Sequence, residues 1–271
     1  MPAIYAHDRF GEAVISHLPL PLRTTLGKYP SALRLGFQGP DILFYHKPFK
    51  RNATKKKGMD IHHIPPEEFF AQHAVRLLEE NPNLKPSPYL SYVAGAMCHF
   101  LLDTKLHPYV YKIEDTGVTH AKIESEFDKH LLRVDKKPAR GMNTAKAYLP
   151  DENTVNACAK VFDVHPSEAK RSIKTMRTIN GLFACRCQLV HAVCHGFLKI
   201  VRLDNSFGDM FRRKKDADCC KEPNKVLEKL LDDNVMGAMK RVNAYFTELS
   251  QIAESGKMDS IFSTNYTGGV H

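Results

Sequence analysis

Apolar residues recur at helical spacing through most of this chain, and the strict alternation that marks a half-buried β-strand is nearly absent. Prolines stand near the starts of several periodic segments, as in Ser87-Pro88, where the serine can cap a helix and the proline fits its first turn. The periodicity predicts an all-α fold, which we expect to form one domain over residues 1–271.

The pattern also predicts where several helices begin and end. A first helix is expected over Asp8–His17, and a central one over Pro88–His107 because a proline follows it. Two longer helices are expected from about Pro166 to Arg202 and from about Pro223 to Glu254. The basic, polar stretch Lys47–Lys57 is predicted to be a loop.

The composition is that of a folded globular protein, with 43% apolar and 25% charged residues in 271. It excludes disordered, collagen-like and coiled-coil chains. The formal net charge of +9 favours anionic partners, a class that includes nucleic acid, anionic lipid and free phosphates.

The start of the chain lacks the basic segment and apolar core of a secretory signal. The sequence also contains no run of about 18 apolar residues, so it predicts no membrane span. Seven cysteines are an odd number, so at least one is unpaired within the chain. We therefore expect reduced thiols and a cytoplasmic location. A secreted form from which a signal has been removed is the alternative.

The predicted central helix carries the most informative polar residues. His99, Asp103 and His107 lie at i, i+4 and i+8, so they share one helix face. The helix is apolar immediately before them, over residues 93–97, so we expect this face to be buried. A carboxylate and two imidazoles are costly to bury unless they pair or bind a metal ion.

A second pair, His120 and Glu124, repeats the i, i+4 spacing on the next predicted helix. Imidazole and carboxylate ligands together suit zinc, and an open position on such an ion suits hydrolysis. The alternative is a network of histidine–carboxylate ion pairs that holds no metal. Recurrence of the pattern on two consecutive helices favours the metal.

These two motifs, with three upstream segments, resemble the zinc-dependent phospholipase C family, whose fold is shared with fungal single-strand nucleases. The upstream segments are Ile4–His7, Leu35–Leu43 and Gly58–His62. The likeness covers roughly residues 1–130, and it is closer to family members without a secretion signal than to the secreted toxins. It implies an all-α, zinc-dependent phosphoesterase.

The resemblance also implies eight residues that hold two or three zinc ions. They are His7, Asp41, His62, His99, Asp103, His107, His120 and Glu124. In this scheme one ion is held by Asp41, His62, His99 and Asp103, and a second by His107, His120 and Glu124.

A third ion would lie between His7 and Asp103, with the Asp103 carboxylate bridging two ions. In the family an N-terminal tryptophan completes this site, and the present chain contains no tryptophan. The amine of Pro2, exposed by removal of the initiator methionine, is the candidate substitute. Within the segment after Gly58, His63 is the alternative to its neighbour His62 as a ligand.

The reaction implied by the resemblance is hydrolysis of a phosphodiester by a metal-activated water, with Asp41 as the residue that orients or deprotonates this water. A phospholipid is the expected substrate, an anionic membrane surface is a candidate partner, and no stable nucleic-acid partner is expected. The oligomeric state is left open. The alternatives are a nuclease or small-molecule phosphatase with the same metals, and a non-catalytic module that binds a membrane or a partner.

Two further sets of residues are given structural interpretations. The basic run within Lys47–Lys57 could attract anionic headgroups, although a solvated mobile loop is the preferred interpretation. Cys187, His191 and His195 share a helix face, but thiols and imidazoles on an apolar helix usually pack in a core.

Overall fold

The computed structural model describes residues 4–200 and 207–269. These residues form helices and loops without a β-strand, which confirms the all-α prediction. The α-helices are α1 Ile4–His17, α2 Leu20–Gly27, α3 Pro30–Gly36, α4 Ala53–His63, α5 Pro66–Glu80, α6 Pro88–Glu114, α7 His120–Val134, α8 Glu152–Phe162, α9 Pro166–Ala184, α10 Gln188–Ile200, α11 Lys221–Thr247 and α12 Leu249–Ser255. Shorter 3₁₀ helices span Gly39–Tyr45, Thr144–Ala147, Gly208–Met210, Asp218–Cys220 and Ser260–Ser263.

Helix α6 runs through the centre of the molecule, where it packs against α1, α3, α8 and α11. Most of its side chains are buried on every side of the helix, as expected for a helix that is apolar all round. The buried apolar side chains form one contiguous cluster, from Ile4 at one end of the chain to Tyr266 at the other. One domain over residues 1–271 stays a prediction.

Two of the predicted helix ends differ from the observed ones. Helix α6 continues through Pro108 to Glu114, and the residues beyond the proline are retained by burial of Val110 and Ile113. Helix α9 ends at Ala184, where the Ala184 carbonyl accepts a hydrogen bond from the Gly141 amide at 2.6 Å. The predicted helix therefore divides into α9 and α10.

The other differences are smaller. Helix α1 begins at Ile4 rather than at Asp8. The predicted basic loop is only partly a loop, because the Asn52 side chain caps α4 by accepting a hydrogen bond from the Lys55 amide. The last predicted long helix is interrupted at Glu248. Arg202, where an earlier helix was predicted to end, lies outside the described residues.

None of the helices within the described ranges has the length and apolar character that crossing a bilayer requires.

A close helix crossing joins α3 to α6 through two glycines. A Cβ at Gly36 would lie 2.5 Å from the Tyr92 carbonyl oxygen, and a Cβ at Gly95 would overlap the Leu33 carbonyl oxygen. Neither neighbour is a flexible side chain, so the helices must move apart to admit a methyl group. This crossing fixes α3 against α6, the helix that carries His99, Asp103 and His107.

We expect Gly95→Ala to lower the stability by about 2–3 kcal/mol, because overpacking outweighs the better helix propensity of alanine. For a chain of this size that corresponds to a fall in Tm of about 5–10 °C by calorimetry. Gly27→Ala is the matched control, since a Cβ there meets no atom within 4 Å. A Gly95→Ala protein that melts with the wild type would contradict the tight crossing.

Candidate metal centre

Five segments bring the eight predicted ligand residues into one region of the fold. Helix α1 carries His7, the 3₁₀ helix Gly39–Tyr45 carries Asp41, and α4 carries His62. Helices α6 and α7 carry the remaining five, which are His99, Asp103, His107, His120 and Glu124.

Asp103 stands at the centre of the first group. Its Oδ1 lies 3.2 Å from His7 Nε2, and its Oδ2 lies 3.1 Å from His99 Nε2. Asp41 Oδ2 is 3.9 Å from His99 Nε2, and its Oδ1 is 3.1 Å from His62 Nε2. One ligand atom from each of His7, Asp41, His99 and Asp103 lies within 4.8 Å of all the others, so one ion can contact several of them.

His107, His120 and Glu124 form a second group whose ligand atoms also lie within 4.8 Å of one another. His120 Nε2 is 3.2 Å from Glu124 Oε1. The groups adjoin, since His107 Nδ1 is 4.0 Å from Asp103 Oδ2. A cavity between the two groups is lined by Asp103 and Glu124. Its volume of about 20 Å³ is enough for a single water molecule.

Backbone carbonyls orient two of the imidazoles. His62 Nδ1 is 2.6 Å from the Gly58 carbonyl oxygen, and His99 Nδ1 is 3.2 Å from that of Phe37. When Nδ1–H of such a ring donates to a carbonyl, the neutral ring presents the lone pair of Nε2 to a metal ion, and the protonated ring donates from Nε2 to a carboxylate, as His62 does to Asp41. Both Nε2 atoms face the carboxylates.

The charges in this cluster strongly affect one another. Burial alone would raise the pKa of Asp41, but the hydrogen bond and charge of His62 outweigh it and lower that pKa to about 2. Burial opposes ionisation of Asp103 as well, yet His99, His107 and His7 hold its pKa well below the usual range. The carboxylates are therefore ionised at neutral pH, as metal ligation requires.

The donor set fits a metal ion such as zinc. Buried His99 Nε2 makes no hydrogen bond of acceptable geometry within the described residues, although Asp103 Oδ2 lies 3.1 Å away. His7 Nδ1 is also buried without such a partner among them. Unsatisfied ring nitrogens next to ionised carboxylates are costly in a protein interior, and a cation that accepts a ring nitrogen's lone pair removes part of that cost.

The sequence profile of the zinc-dependent phospholipase C family matches residues 6–172, which include all eight of these residues. The chain belongs to that family. No curated protein and no solved structure shows significant similarity to the chain. Family membership and the buried His/Asp cluster together support a zinc-dependent phosphoesterase.

A segment beyond the family match closes one side of the cluster. Tyr266 is fully buried, with its ring centroid 4.9 Å from that of His62. The Tyr266 carbonyl oxygen lies 2.8 Å from His107 Nδ1. It therefore orients the His107 ring in the same way as the Gly58 carbonyl orients His62. Sequence reasoning missed Tyr266 because it lies in an irregular segment without periodic spacing.

Asp128 is the second residue that the sequence did not single out. Its carboxylate accepts hydrogen bonds from the backbone amides of Tyr5 and Ala6, at 3.1 and 3.0 Å, and so caps the first turn of α1. Burial raises the pKa of Asp128 to about 6 although Arg212 opposes the shift. The cap fixes the start of the helix that presents His7. The only sequence feature that pointed to Asp128 is its position four residues after Glu124 on the same helix.

The remaining candidates lie apart from the cluster. His63 is exposed on α4. His191 and His195 pack on Phe211, and Cys187 is exposed. Among the described residues, no three possible metal ligands come close enough together there to share an ion. Pro2, the candidate amine ligand, lies outside the described residues.

We expect His62→Ala to weaken zinc binding at least about tenfold, because it removes the imidazole that contacts Asp41. His63→Ala is the matched control, and its affinity should equal that of the wild type. Competition of each protein with a chromogenic chelator measures both affinities. Equal affinities for the two variants, or a larger loss in His63→Ala, would contradict the assignment of His62 as a ligand.

Proposed function

We propose that the protein hydrolyses the phosphodiester bond of a phospholipid on the glycerol side, with zinc held by the eight residues described above. The observation that carries the proposal is the pair of adjoining ligand groups centred on Asp103, in a chain of the zinc-dependent phospholipase C family. Bound zinc would polarise the phosphoryl oxygens and lower the pKa of a water molecule.

In this proposal Asp41 orients the reacting water. A carboxylate whose pKa is near 2 stays ionised at neutral pH and is a weak base, so it is better suited to accept a hydrogen bond than to keep a proton. Its side chain is 11% exposed, so part of the carboxylate is accessible to water. We propose that His62 holds this carboxylate in position.

The aromatic residues favour a lipid over a nucleic acid. Phe44 stacks on His62 with ring centroids 5.5 Å apart, and Tyr111 stacks on His107 at 5.7 Å. One face of each ring therefore packs on an imidazole. Phe49 lies instead at the mouth of an apolar cavity, where it supports binding of hydrocarbon.

A substrate panel tests the proposal on the zinc-loaded protein. It compares a short-chain phosphatidylcholine, a single-stranded oligodeoxynucleotide and a phosphomonoester. We expect release of phosphocholine and diacylglycerol from the lipid as the main activity. Asp41→Asn should lower kcat by at least about 100-fold, since a positioned group contributes that much. Asp60→Asn on exposed α4 is the matched control and should retain full activity.

Two results would overturn the proposal. Faster cleavage of the oligonucleotide or the monoester would identify a nuclease or a phosphatase that uses the same metals. Zinc-loaded protein without activity on any of the three would identify a non-catalytic module.

A further inference from the structure

Helix α10 turns its apolar face outward. Leu189, Val193, Phe197 and Ile200 recur at helical spacing along one face, and each is between 52% and 82% exposed. Surface helices normally direct this face to the core. A contiguous exposed apolar face of this kind marks an interaction site.

The inward face of α10 is the more polar one. His191 and His195 pack against Phe211, with ring centroids 4.9 and 4.8 Å apart. Leu198 is the only side chain of α10 that is buried. The helix is therefore inverted relative to an ordinary amphipathic surface helix, and the large side chains of its outward apolar face remain more than half exposed.

Phe49 extends this face across a neighbouring loop. Its ring is half exposed and lies 6.2 Å from Phe197 and 5.7 Å from Phe207, measured between ring centroids. Beside these rings an apolar cavity of about 620 Å³ opens between α9 and α10. We call Phe49 and the outward residues of α10 the α10 face.

Basic residues flank the α10 face. Lys47, Lys50 and Arg51 are exposed on either side of Phe49, and none forms an ion pair with a described residue. Lys56 and Lys57, later in the same basic run, pair with Asp60 and Asp163. The unpaired part of the run thus coincides with the α10 face.

The two segments that form this face have a common charge pattern. Residues 46–52 and 185–200 contain five Lys and Arg residues and no Asp or Glu. A helix with large exposed apolar side chains and flanking cations is typical of the interface of an anionic bilayer. A second copy of the chain fits less well, because a two-fold contact would bring the same unpaired cations together.

We infer that the α10 face docks on an anionic lipid bilayer, with Phe197 and its apolar neighbours entering the headgroup–acyl boundary and Lys47, Lys50 and Arg51 contacting lipid phosphates. This inference rests on the proposed phospholipid hydrolysis, because docking would bring the enzyme to its substrate. Phe183 lines both the apolar cavity and a smaller cavity that contacts Glu124. One buried side chain therefore lies between the apolar cavity next to α10 and a cavity that reaches Glu124.

Tryptophan fluorescence tests the inference directly, because the chain contains no tryptophan. Phe197→Trp places a single reporter on the α10 face, and Met236→Trp places a matched one at an exposed position on α11. Vesicles of phosphatidylcholine with phosphatidylserine should shift the emission of Phe197→Trp to shorter wavelength, and brominated lipid should quench it. The Met236→Trp emission should not change.

A second pair of variants separates apolar insertion from charge attraction. Leu189→Asn with Val193→Asn should weaken vesicle binding by about tenfold or more in cosedimentation, since two exposed apolar side chains leave the bilayer. Val226→Asn, at an exposed position on α11, should bind like the wild type. Vesicles of phosphatidylcholine alone should bind more weakly, as should high salt.

Three results would overturn the inference. They are an unchanged Phe197→Trp emission with vesicles, vesicle binding insensitive to the Leu189 and Val193 substitutions, and an emission shift that depends on protein concentration without lipid, which would indicate a second copy. Failure of the docking is distinguishable from failure of the proposed function. If the protein cleaves monomeric short-chain lipid but does not bind vesicles, only the docking inference is contradicted. If it binds vesicles but cleaves no substrate, only the proposed function is contradicted.

Discussion

The carboxylate of Asp103 is the constraint around which the rest of the structure is arranged. It is buried, ionised and in contact with imidazoles from α1 and from its own helix α6. An ionised group in a protein interior is tolerated only where opposite charge surrounds it closely. Helix α1 supplies His7 for this surrounding, and α6 supplies His99 and His107.

The supporting contacts show how a small helical protein holds such a cluster rigidly. Backbone carbonyls of three different segments face the Nδ1 atoms of His62, His99 and His107. Asp128 caps the helix that presents His7 from a distance of more than 120 residues in sequence. These contacts fix ring orientation without using the Nε2 atoms, which leaves those atoms for an ion.

Some of this arrangement could be predicted from the sequence, and the physical reasons differ by residue. The i, i+4, i+8 spacing placed His99, Asp103 and His107 on one face, because the helical repeat alone decides this. Assembly of the distant segments around them came from the family resemblance. The packing partner of Tyr266 could not be predicted, since an irregular segment has no period.

The sequence indicated that His191 and His195 pack inward, but not that the opposite apolar face of α10 stays exposed. Its apolar pattern is the same whether that face meets the core or the solvent, and only the packing of His191 and His195 on Phe211 decides between them. Similarly, Pro108 is a reasonable helix terminator in isolation, but burial of Val110 and Ile113 outweighs the one lost hydrogen bond. Tertiary contacts override local preference at both places.

The central claim is that the Asp103 cluster is a zinc centre. Anomalous diffraction from crystals grown with zinc, collected on both sides of the zinc absorption edge, tests it most directly. The account predicts a strong peak within bonding distance of the Asp103 and Asp41 carboxylates and a second peak next to Glu124. Crystals with no zinc peak at Asp103, or with zinc only at surface histidines, would contradict it.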